Sequence, residues 1–84
     1  MKFQAFINIL PHKELLDPQG KTVGNNLKNV GILGVEDVRI GKHIVMILDA
    51  DSEDQAREMV ELACKKLLAN IIMETFSFQL KSIS

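Results

Sequence analysis

The sequence predicts an α+β domain of order β-α-β-β-α-β, a ferredoxin-like antiparallel sheet with two helices on one face. Three observations carry that expectation. Alternating apolar and polar runs open and close the chain, at residues 2–10 and 72–81. Two stretches of helical period follow Asp17 and Ser52. Between them, in residues 35–50, two β-rich runs meet at Gly41-Lys42, a short glycine-containing break of the kind that closes a hairpin. Short connections and right-handed β-α-β crossovers then select the layout.

In the first run, Phe3, Ala5, Ile7 and Ile9 share one face and Lys2, Gln4 and Asn8 the other. Phe6 and Leu10 break the polarity of that outer face, and Pro11 stops the strand. A loop leads to Asp17-Pro18-Gln19-Gly20, a helix start: Asp17 suits the N-cap, and Pro18 suits the first helical position. Val23, Leu27 and Val30 form an apolar stripe, and Gly31 fits the C-terminal cap. Gly20, Gly24, Asn25, Asn26 and Asn29 all disfavour a helix interior, so packing must hold this helix.

In the expected hairpin, Val38 and Ile40 share one face and Asp37 and Arg39 the other. The second arm, Ile44 to Leu48, is apolar at every position and reads as a central strand covered on both faces. The acidic cluster Asp49–Asp54 lacks the sixth-position glycine and twelfth-position glutamate of a calcium loop. It reads instead as a helix start, with Ser52 and Gln55 forming a capping box. The second helix is expected from about Glu53 to Ala69. Ala56, Met59, Val60, Ala63 and Leu67 form its buried stripe, Cys64 lies at the margin, and Asn70 takes a left-handed cap. The last strand sets Ile72, Glu74, Phe76, Phe78 and Leu80 on one side; Glu74 among them calls for an edge position or a polar partner.

The 84 residues form one domain, 1–84, whose core is small unaided. Cys64 is the only cysteine and the two histidines, His12 and His43, lie far apart, so neither a disulfide nor a metal staples it. Self-association remains, as a dimer or tetramer. Phe6, Leu10, Val45 and Ile47 are the candidate oligomer interface, too apolar for a bare sheet face. A net charge of −1 argues against nucleic acid or an anionic membrane as partner. With no apolar run of membrane-spanning length, no export signal and a lone thiol, the expected location is cytoplasmic. No spacing suits a catalytic residue, a cofactor site or a metal site.

Three stretches remain: Leu16-Asp17-Pro18-Gln19-Gly20, Val38-Arg39-Ile40-Gly41-Lys42 and Cys64-Lys65-Lys66-Leu67-Leu68-Ala69-Asn70. In order and spacing they resemble the signatures of the PurS family, the small subunit of phosphoribosylformylglycinamidine synthase. The resemblance implies a non-catalytic assembly subunit of de novo purine biosynthesis. Such a subunit bridges a large ATP-dependent synthetase subunit and a glutaminase subunit and supports ammonia transfer between them. ATP, magnesium and glutamine are then used by the partners, and this chain binds no cofactor. Asp17, Gln19, Arg39 and Lys42 are the polar residues expected at a partner interface. The family often has an acidic-aromatic run like Glu-Asp-Tyr after the helix 2 asparagine; here Glu74-Thr75-Phe76 keeps the glutamate and a ring without its hydroxyl. An ACT-type module binding an amino acid near residues 11–20 shares the element order and is the alternative.

Overall fold

A computed structural model of the chain describes residues 1–83. Its elements are β1 (Lys2–Pro11), α1 (Pro18–Asn29), β2 (Lys42–Asp49), α2 (Glu53–Ala63) and β3 (Glu74–Ser82), with a π-helical turn, Cys64–Leu68, continuing α2. The sheet is antiparallel throughout, in the order β2-β1-β3. Phe3, Ala5, Ile7 and Ile9 are buried beneath α2, as their alternation requires. Ala5, Ile7 and Ile9 pack with Val60, Cys64 and Ala69, and Ile44, Met46, Phe76, Phe78 and Leu80 close the sides, while Phe3 packs with Ala50 and Ala56.

The expected α+β class holds, and residues 35–40 occupy the place of a second strand in the β-α-β-β-α-β order. Two local expectations do not hold. No hairpin closes at Gly41-Lys42: the chain runs without turn or bend through residues 32–50, and among the described residues 35–40 have no ladder partner. A primed two-residue turn needs positive φ, which among the described residues occurs only at Gly31 and Gly34. Secondly, β1 is the central strand and β2 lies at an edge. The uninterrupted apolar run of β2 therefore divides its faces. Ile44, Met46 and Leu48 join the core, while Val45 and Ile47 are 50% and 64% exposed on the opposite face.

Capping follows the sequence closely. Asp17 caps α1 and Ser52 caps α2, each accepting from the amide three residues on. Gln55 reaches back to the Asp51 amide at 2.5 Å rather than to that of Ser52. Gly31, at φ 84°, ends α1 with Gly31 N–H on Lys28 C=O and Ile32 N–H on Leu27 C=O, the paired bonds of a Schellman motif.

The end of α2 departs from the simple period. Ala69 N–H bonds to Cys64 C=O at 2.9 Å, an i→i+5 link that widens the last turn. The buried stripe is Ala56, Val60 and Cys64, and the widened turn then brings Ala69 under the sheet and leaves Leu67 81% exposed. Leu67 is thus outside the core and Cys64 at its centre, the reverse of a continuous α-helical reading. Asn70 is not left-handed, and Ala69 leaves the turn extended. Val60→Ala should lower stability by roughly 2 kcal/mol through a core cavity. Leu67→Ala should stay within about 0.5 kcal/mol. Urea unfolding of both variants checks the widened turn, because a continuous helix would make Leu67 the costly position.

Candidate partner-binding cleft

Asp17 connects two distant pieces of backbone. Its Oδ1 accepts from Gly20 N–H at 3.0 Å, and its Oδ2 accepts from Ile40 N–H at 2.8 Å. The two bonds, helped by the Arg39 charge, hold the carboxyl below the usual carboxylate range. The backbones meet so closely here that two positions have no room for a side chain. A Cβ at Gly20 would lie 2.0 Å from Val38 O, and one at Gly41 would lie 2.1 Å from Ile9 O.

Arg39 fixes the other side of this junction. Its guanidinium donates to Pro11 C=O at 2.8 Å, to Lys13 C=O at 3.3 Å and to His12 C=O, and Asp37 lies 3.9 Å away. It thereby satisfies the carbonyls where β1 frays into the loop before α1. Its Nε is buried without a hydrogen-bond partner among the described residues. Lys42, the first residue of β2, reaches Leu68 C=O at 3.3 Å and lies 3.9 Å from Glu74. Glu74 Oε1 in turn accepts from Asn70 N–H at 2.8 Å, so its polar partner is the exit of the π-helical turn.

A cleft of about 510 Å³ opens over this junction, with Asp17, Gln19, Lys42, Asn70 and Glu74 as its polar lining and Leu15, Leu16 and Met73 as apolar neighbours. All three sequence stretches singled out above meet there. Three of the four expected interface residues, Asp17, Gln19 and Lys42, line it. Arg39 instead borders separate clefts of about 350 and 320 Å³. Sequence reasoning missed Asn70 and Glu74 as members. The available signal was Glu74 itself, a carboxylate on an otherwise apolar strand face.

Phe6, Leu10, Val45 and Ile47 also come together, on the sheet face opposite α2. Phe6 pairs with Val45, and Gln4 beside it with Ile47. Leu10 lies on the same face of β1, opposite Thr75. His43 stacks on Phe6 at 6.4 Å and meets Asn8 Oδ1 at 2.7 Å.

The cleft has neither cysteine nor histidine, and among the described residues no three acidic, histidine or cysteine side chains could hold a metal ion. No helix of the described residues is long and apolar enough to cross a membrane. One cation, two carboxylates and two amides form the polar part of an open rim. The class is a small α+β protein organised around a polar cleft and an uncovered apolar sheet face.

The family model described as "PurS: Phosphoribosylformylglycinamidine (FGAM) synthase" matches residues 4–82. A PurS subunit of that synthase from Synechocystis is 38% identical, over 95% of this chain and 78% of its own length. The one from Methanocaldococcus jannaschii is 32% identical, over 96% and 98%. Among solved structures, Thermus thermophilus PurS is 36% identical with a TM-score of 0.86, covering 100% of both chains. A chain in the Thermotoga maritima PurLQS structure is 28% identical with a TM-score of 0.88, covering 96% of this chain and 99% of that one. The chain belongs to the PurS family of phosphoribosylformylglycinamidine synthase subunits.

Two outcomes test the junction. Gly20→Ala should destabilise the chain by about 1–3 kcal/mol in urea, because the new methyl group meets a backbone carbonyl. The lowered Asp17 carboxyl contributes stability that is present above the ordinary carboxylate range and lost as pH falls through its folded value. Unfolding followed from pH 7 to pH 2 should therefore show a steeper acid loss in the parent than in Asp17→Ala.

Proposed function

We propose that the chain is the non-catalytic assembly subunit that joins the large synthetase subunit to the glutaminase subunit and supports ammonia transfer between them. The observation that carries this reading is the convergence of all three signature stretches on one cleft. The family is that of a subunit of a ligase complex in purine biosynthesis, and the Thermotoga maritima relative stands in a PurLQS assembly.

On this reading the chemistry lies in the partners. The synthetase uses ATP and magnesium to activate the amide oxygen of formylglycinamide ribonucleotide, and the glutaminase releases ammonia from glutamine. Ammonia replaces that oxygen to give the amidine. This chain binds none of these cofactors, works in the cytoplasm and contacts neither nucleic acid nor membrane. It also associates with itself as a dimer or tetramer through Phe6, Leu10, Val45 and Ile47, whose exposure leaves an apolar face uncovered.

Within the cleft, Gln19 and Lys42 are the residues assigned to partner contact. The Gln19 side-chain amide makes no hydrogen bond among the described residues, and the Lys42 side chain is 55% exposed. Reconstitution with the two larger subunits should give glutamine-dependent amidine formation only when this chain is present. Lys42→Ala and Gln19→Ala should lower that activity about tenfold while changing stability by less than about 0.5 kcal/mol. Full activity from the two larger proteins alone refutes the reading. Ile47→Lys should weaken self-association in light scattering without unfolding the chain.

A further inference from the structure

We infer that the turn joining α2 to β3, residues 70–74, is a preformed knob that seats in an apolar pocket of one of the two larger subunits. Glu74 at its base takes a basic side chain from the rim of that pocket. The inference rests on the assembly reading above and gives that reading a surface that neither Gln19 nor Lys42 defines.

The composition of the turn runs against its position. Tight turns favour Gly, Pro, Asn, Asp and Ser, whose backbone freedom or short polar side chains suit a solvated bend. This one carries Ile71-Ile72-Met73. Ile72 is 83% exposed, and Ile71 and Met73 are each more than half exposed. On β3, directly after them, Phe76, Phe78 and Leu80 pack against the core. Single exposed apolar side chains are ordinary, but three in succession are not. Met73 also shares a cleft wall with the exposed Leu16, so the apolar surface is continuous with the cleft.

The turn is held at every step. Asn70 C=O accepts from Met73 N–H at 3.0 Å and from Glu74 N–H at 2.6 Å. Asn70 Oδ1 accepts from Ile72 N–H at 3.1 Å, and Asn70 N–H donates to Glu74 Oε1 at 2.8 Å. From the end of β1, His12 N–H donates to Met73 C=O at 3.0 Å. The amide at the exposed tip is therefore satisfied within the chain. A turn ordered before contact loses little freedom on docking, which suits its apolar side chains to act as anchors.

The charges beside the turn define what it meets. In the cleft, Asp17 and Glu74 outnumber Lys42, and the carbonyl end of the widened helical turn adds negative potential where Leu68 C=O faces the Lys42 ammonium. Asp17 gives both oxygens to the chain's own amides. Glu74 Oε2 has only that ammonium, at 3.9 Å and beyond hydrogen-bond length. It is the acceptor left open at the base of the knob. An isologous contact centred on this turn would bring two copies of Glu74 together, like charge against like. The turn therefore fits a different protein, one whose apolar pocket carries an arginine or lysine at its edge.

The test is calorimetric titration of the full chain into each larger subunit, at low and at high salt. Ile72→Ser should weaken binding to one of them about tenfold, with no change in the chain's own urea midpoint because the side chain is exposed. Glu74→Gln keeps an oxygen for the Asn70 amide and removes the charge. It should weaken the same binding about fivefold at low salt, and the difference from the parent should vanish at high salt. Parent-like binding of both variants to both subunits overturns the inference and leaves assembly through another surface standing. A lower mass for isolated Ile72→Ser in light scattering assigns the turn to self-association and overturns it equally. A parent chain that binds neither larger subunit removes the assembly reading and this inference with it.

Discussion

The structure depends on one carboxylate that satisfies two amides, of Gly20 and Ile40, twenty residues apart in sequence. Asp17 caps α1 with one oxygen and holds Ile40 with the other, so the direction of the helix and the entry of β2 are set by the same group. A water-satisfied helix end would leave the two segments independent. Because the acceptor is ionised, each bond is stronger than one to a neutral acceptor would be. The close approach it enforces explains the two neighbouring glycines: Gly20 meets Val38 and Gly41 meets Ile9, backbone against backbone. Arg39 completes the junction by gathering the last carbonyls of β1.

The elements most legible in the sequence were those whose cause is local. The alternation of β1, the caps at Asp17 and Ser52 and the Schellman glycine Gly31 all follow from a few adjacent residues. What was less legible depends on partners far away in the chain. Gly41-Lys42 has hairpin composition, yet nothing local distinguishes a glycine needed for a turn from one needed for close approach. The apolar run of β2 looked central because both faces were apolar; one of those faces is exposed, and the sequence does not say what covers it. The π-helical turn leaves no compositional mark either. Cys64, Leu67 and Leu68 fit a continuous stripe equally well until Ala69 bonds back five residues.

The candidate site was half legible for the same reason. Residues within the three stretches could be named from the sequence, but their meeting depends on β1 bringing Pro11 and Glu74 opposite one another. That register places Glu74 beside Lys42 and Asn70, and so creates a cleft to which no single stretch contributes more than one wall.

Occupied and available groups separate the four polar residues into two kinds. Asp17 and Arg39 spend their polar atoms on the chain's own backbone, so truncating either disturbs the junction before it disturbs any partner. Lys42 has only a 3.3 Å bond to a carbonyl and a 3.9 Å approach to Glu74 on an open rim, where such pairs contribute little. Its ammonium is free to be redirected to the proposed partner at small cost, and among the described residues the Gln19 side-chain amide has no internal bond to break. The proposed docking role calls for this division: a rigid frame held by ionised groups, with a few uncommitted polar side chains at its mouth. The signature stretches contain both kinds because frame and mouth are built from the same short runs of chain on either side of one cleft.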